Sequence, residues 1–124
     1  MIVTNMIGVA FSATLLAASD SGATFFFPED GATNTLAWSQ LSSSSRAAVC
    51  AASDFEPVPP ELVAAFGLAQ KDLLRLSALE ADRRITASEA NPRRNRLREA
   101  FAKKCAKAGL DKTRIARLQK RLSR

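Results

Sequence analysis

Residues 60–79 read PELVAAFGLAQKDLLRLSAL, and whether Gly67 interrupts this stretch decides what kind of helical protein the chain makes. Proline is preorganised for the first turn of a helix, and Glu61 beside it complements the positive end of the helix dipole. From there Leu62, Phe66, Ala69, Leu73 and Leu76 recur at steps of 4, 3, 4 and 3, the period of an apolar seam along one helical face. Leu68, Leu74 and Leu79 widen it. The helix is expected to reach Arg83 or Arg84, and a seam this apolar must pack on something. One reading splits the stretch at Gly67 into a helix-turn-helix with Gln70, Lys71, Asp72 and Arg75 outward. The other is a single helix, because an interior glycine costs only about 1 kcal/mol relative to alanine and Ala69-Gln70-Lys71 offers no good cap. Leu62, Phe66, Leu73 and Leu76 are also the natural interface of a homo-oligomer.

Upstream, Asp54 to Pro60 reads DFEPVPP, with three prolines in four positions. That excludes a helix interior and marks an extended connector. Before it, Ile2 to Ala18 is an apolar run broken by Thr4, Asn5, Ser12 and Thr14. A secretory signal wants cations ahead of its apolar stretch, and none precedes Arg46. As a membrane span the run is slightly short and carries four polar side chains. The reading preferred here is a buried strand over Ile2 to Phe11 with a helical or extended return. Ala23 to Pro28 (ATFFFP) has strand composition stopped by proline, and Glu29-Asp30-Gly31 is turn chemistry. Ser42 suits a helix N-cap with Leu41 ahead of it.

Downstream, Asn91-Pro92 looks like a helix start, asparagine as cap and proline in the first turn. Leu97, Phe101, Cys105 and Ala108 form the stripe, and Gly109 suits the left-handed position that ends a helix. Asp111 can cap a last helix, Leu110 can staple onto Ile115, and Ile115, Leu118 and Leu122 line one face. Residues 101–118 also resemble a helix-turn-helix, Gly109 being the turn, although Lys104 sits where that motif wants an apolar residue. The expected fold is mainly α: a small helical domain with a C-terminal basic helical hairpin and one or two short strands in the N-terminal third. Its parts are residues 1–56, a mildly acidic apolar region; 57–90, the proline-opened helix; and 91–124, the basic hairpin.

Charge points to function. Through Gln70 the chain holds one cation against six acids, a net of −5; from Lys71 onward it holds 17 cations against six acids, a net of +11, which together give +6. A basic arm after an acidic body suggests a polyanionic partner. The expected contacts are Arg93, Arg94, Arg96, Lys103, Lys107, Lys112, Arg114, Arg117, Lys120 and Arg121. The first of these crowd a helix start, where the dipole disfavours cations and an external anion would compensate. Only Phe101 interleaves with them, so single-strand base stacking is poorly supported, and duplex DNA is favoured over RNA.

The chain has no histidine, the commonest general base and metal ligand. Two widely spaced cysteines, Cys50 and Cys105, are too few soft ligands for zinc and read as buried thiols in a reducing, cytoplasmic setting. No phosphate loop or nucleophile elbow is present. The sequence therefore describes a nonenzymatic nucleic-acid-binding protein, a helix-turn-helix-like regulator or accessory factor, with no cofactor and no metal. Two alternatives use the same features: an assembly subunit of a nucleoprotein particle or virion, and an exported or membrane-surface protein. The small apolar stripe of the tail, without tryptophan, disfavours strong membrane insertion.

Overall fold

The computed structural model describes residues 1–122 of the 124. The chain divides into two compact units, Met1–Pro57 and Val58–Arg124.

The first unit overturns the expectation of a mainly α chain with one or two short strands. Strands make up 20% of the structure beside 56% helix, and five of them lie before residue 37, in two antiparallel sheets. β1 (Ile2–Thr4) pairs with β2 (Ala10–Ser12), Val3 opposite Phe11. The apolar run is therefore not one strand but a hairpin. The Asn5 carboxamide oxygen accepts from the amides of Ile7 and Val9 at 3.1 and 2.9 Å, and Gly8 takes φ +88, which together turn the chain. β3 (Thr14–Ser19), β4 (Gly22–Phe27) and β5 (Ala32–Leu36) follow as a meander with β4 in the centre. The three consecutive phenylalanines sort by pleat: Phe25 is fully buried, Phe26 faces out and Phe27 is half-buried. Glu29-Asp30-Gly31 makes the turn into β5, with Gly31 at φ +63.

α1 (Ser43–Ser53) begins as its sequence indicates, the Ser42 hydroxyl accepting from the Ser45 amide at 3.2 Å. Ser45 is itself buried, and its hydroxyl accepts from the Thr4 amide at 2.7 Å, which ties α1 to β1. Val3, Ala13, Ala23, Phe25, Trp38, Leu41, Val49 and Cys50 form the core of this unit.

The second unit is a three-helix bundle. A 3-10 turn at Pro60–Leu62 leads into α2 (Val63–Ala81), followed by α3 (Ala87–Lys107) and α4 (Lys112–Leu122). Gly67 lies inside α2, exposed and with open space where a Cβ would stand, so the helix-turn-helix reading of residues 61–76 does not hold. α2 ends with Asp82 as cap and Arg83 left-handed at φ 58; the Arg83 amide donates to Glu80 O and the Arg84 amide to Leu79 O.

α3 starts a turn earlier than Asn91-Pro92 indicates. Thr86-Ala-Ser-Glu89 is a capping sequence: the Thr86 hydroxyl accepts from the Glu89 amide at 3.3 Å and donates to its carboxylate at 3.2 Å. Pro92 thus sits within the helix. Having no N–H, it leaves the Ser88 carbonyl without its helical donor, and Ser88 is exposed, so water can serve instead. The other end follows its sequence. Gly109 takes φ +90, its amide donates to Ala106 O and the Leu110 amide donates to Cys105 O. The Asp111 carboxylate then accepts from the Arg114 amide at 2.9 Å.

Leu62, Phe66, Ala69 and Leu73 pack with Phe101, Cys105, Leu110, Leu118 and Leu122, and the Phe66 and Phe101 rings meet edge to face at 5.7 Å. Of the expected oligomer seam, Leu62, Phe66 and Leu73 are core within the chain, and Leu76 is buried outside that cluster. Both cysteines are buried, one in each core, and neither is in a disulfide. Burial pushes the Cys105 thiol up from its usual range, with a backbone hydrogen bond opposing. Among the described residues, no helix is long and apolar enough to cross a membrane.

Candidate nucleic-acid interface

The bundle unit holds 17 of the 18 cations and seven of the 12 acids. What matters is how three helices distribute them. On α3, Arg93, Arg96, Ala100, Lys103 and Lys107 recur at steps of 3, 4, 3 and 4, which places them along one edge of the helix. All five are exposed, as is Lys104 beside them. From Arg93 to Lys107 the row runs about 21 Å at 1.5 Å per residue. Asp72 and Glu89 lie on the same side, yet none of the five cations is ion-paired or hydrogen-bonded through its side chain among the described residues. At one end, Arg93 and Arg96 border an open groove of about 590 Å³ between α2 and α3, floored by Leu76, Leu79 and Leu97.

Arg94 leaves this row. It lies on the inward-facing side of α3, where it forms a fork to Glu80 with both oxygens at 3.3 Å and a 2.9 Å bond to Asn91. It is a positioning group for α2 against α3. Because α3 begins at Ala87, Arg93, Arg94 and Arg96 lie beyond the first turn, outside the reach of the dipole's positive end. With the helix starting at Ala87, these cations are not misplaced against the dipole and call for no compensating anion there.

The cations of α4 do not share one outward face. Lys112 and Lys120 are exposed, in line with Ala116 between them. Arg114, Arg117 and Arg121, at steps of 3 and 4, fall on a half-buried flank, and the Arg121 guanidinium lies 5.1 Å from the centre of the Phe66 ring. There its charge is held by the ring's negative face.

Nor does α4 stand away from α3 as a recognition helix would. Leu110 caps α3 at Cys105, the Gln119 amide donates to Arg98 O at 3.3 Å, and Leu122 lines a cleft with Arg94 and Arg98. Successive residues of α4 thus meet successively earlier residues of α3, which is an antiparallel hairpin. A helix-turn-helix crosses at about 90–120° and frees its second helix for the groove. Residues 101–118 keep the motif's glycine turn and aspartate cap, in helices that run as an antiparallel hairpin.

The row on α3 was within reach of the sequence: it has the same spacing as the apolar seam on α2, counted over cations rather than leucines. No protein-family model matches the chain, and neither a curated protein nor a solved structure matches it.

Proposed function

We propose that the bundle unit binds nucleic acid without catalysis, through phosphate contacts along α3. The observation that carries this reading is the exposed row Arg93, Arg96, Lys103 and Lys107, flanked by Lys104, on a helix held rigid by its core. Each phosphate neutralised releases condensed counterion, so a fixed line of cations binds a polyanion without any base contact. Arginines and lysines projecting from a helix locked into a hairpin favour backbone contact over groove readout. Duplex DNA is the preferred partner and sequence preference should be weak, which suits an accessory factor better than a sequence-reading regulator. Two buried cysteines outside any disulfide accord with a reducing, cytoplasmic setting.

The test is the salt dependence of binding to random duplex DNA. Each lost phosphate contact lowers the slope of log affinity against log salt by about 0.9. Replacing Arg93, Arg96, Lys103 and Lys107 by Gln should therefore flatten the slope by about 3 to 4 units with helicity unchanged, all four being exposed. Replacing Lys112 and Lys120 should change it by less. An unchanged slope in the fourfold variant refutes the assignment of this edge.

A further inference from the structure

The bundle is uneven. α4 has 11 residues against 19 in α2 and 21 in α3, so at 1.5 Å per residue it covers about 16 Å of partners that run about 28 and 31 Å. Where its last described turn ends, a cleft of about 210 Å³ opens, lined by Gln70, Leu74 and Ser77 from α2, Arg94 and Arg98 from α3, and Leu122. Gln70 and Ser77 flank Leu73 at steps of 3 and 4, so the inward face of α2 turns polar beside the last described turn of α4.

The polar groups here are not balanced. Arg94 has Glu80 and Asn91 as partners. Arg98 is half-buried, and its Nε is buried with no hydrogen-bond partner among the described residues. A half-buried guanidinium without a counter-charge among the described residues is costly and calls for an explanation. Among the described residues the cleft is lined by two guanidinium groups and no carboxylate, Glu80 pairing with Arg94 alone, and the Gln70 amide and Ser77 hydroxyl add neutral donors.

We infer that this cleft is a binding site for a single phosphate group, gripped by Arg98 with help from Gln70 and Ser77. A guanidinium binds a tetrahedral oxyanion through two parallel N–H bonds, and with the Arg98 Nε shielded inside the fold the terminal Nη groups would supply them. The volume lies below the roughly 300 Å³ at which pockets for drug-sized ligands begin, which fits one oxyanion and excludes a buried nucleotide. The site is separate from the row on α3: Arg94 and Arg98 face the cleft, whereas Arg93 and Arg96 border the groove on the other side of the helix. Nucleic-acid binding along that row and phosphate binding here therefore stand or fall independently. The phosphate can come from free inorganic phosphate or from the end of a nucleic-acid strand.

The test follows arginine Nε–H resonances of the full chain while inorganic phosphate replaces chloride at constant ionic strength. One resonance, identified by its loss in Arg98→Lys, should move and saturate. Gln70→Glu places a carboxylate in the cleft without altering the core, and it should weaken phosphate binding by about tenfold or more as the new group takes the anion's place. A 5′-phosphorylated oligonucleotide that moves the same resonance, where its 5′-hydroxyl counterpart does not, assigns the site to strand ends. A response to inorganic phosphate alone assigns it to the free ion. A shift that never saturates, or an affinity unchanged by Gln70→Glu, overturns the site while leaving the row on α3 untouched.

Discussion

Replacing Pro92 by alanine should stabilise the bundle, and the sign of the effect discriminates between two ways of building α3. If the helix began at Asn91-Pro92, proline would hold the first position, where its missing N–H is harmless and its fixed φ helps; alanine would then be neutral or slightly worse. In the structure the helix begins at Ala87 and Pro92 is its sixth residue. An interior proline costs about 3 kcal/mol relative to alanine, through the lost bond and the clash of its ring with the carbonyl four residues back. Two terms reduce that figure. The carbonyl concerned belongs to exposed Ser88, so hydration replaces much of the lost bond. Proline also stiffens the unfolded chain, worth about 0.4–1 kcal/mol. The net gain for Pro92→Ala is then about 1–2 kcal/mol, which for a unit this small raises the melting temperature by roughly 4–16 °C.

Urea unfolding followed by circular dichroism at 222 nm reads it directly. Two companions sharpen the outcome. Thr86→Ala should cost about 1 kcal/mol by removing the cap on the Glu89 amide. Asn91→Ala should cost less, because Asn91 caps nothing and gives up only its bond to Arg94. A destabilised Pro92→Ala with a harmless Thr86→Ala would refute the reasoning and restore the later start.

Further outcomes follow from other positions. Gly109→Ala should lose about 1–2 kcal/mol in the same assay although nothing stands within 4 Å of the new Cβ, because φ +90 strains any L side chain. Gly22→Ala should prevent the meander from closing, since a Cβ there falls on the Leu36 carbonyl; loss of dispersed amide resonances from β3 to β5 would show it. Cys105 should resist thiol reagents until the bundle unfolds. Because burial favours its neutral form and raises its pKa, the stability it contributes is full below the usual thiol range and falls as pH climbs through it. A bundle that melts at the same urea concentration on both sides of that range would contradict this.

The sequence was most readable where a local rule and the tertiary context agreed. The seam from Leu62 to Leu73 is core, Ser42 caps α1, and Gly109 with Asp111 shapes the α3–α4 turn, because spacing, cap chemistry and backbone freedom all act within a few residues. It was least readable in the first unit. Alanine, serine and asparagine interrupt β3 and β5, residues with little strand preference, and pairing with Phe25-centred β4 makes these segments strands. Pro92 misled for a related reason: proline after asparagine is a good start signal, but Thr86 and Glu89 form a better one five residues earlier. On the candidate interface, Lys112, Arg114, Arg117, Lys120 and Arg121 look like one basic helix face in the sequence. Arg121 over Phe66 shows why they are not, since a helix that packs by its apolar stripe draws its flanking arginines into the boundary.

Trp38 has its indole N–H held by Ser19 O at 2.8 Å and its ring stacked on Phe55, within the first unit. It is the only tryptophan, and the chain has no tyrosine. The two halves of the molecule are therefore optically unequal. Excitation near 295 nm reports on the β-rich half alone, whereas the bundle is dark at that wavelength and is followed through the far ultraviolet, which both halves share. Fluorescence thus belongs to one fold while the far ultraviolet sums both, so a ligand that acts on the bundle alone changes the second signal and leaves the first still.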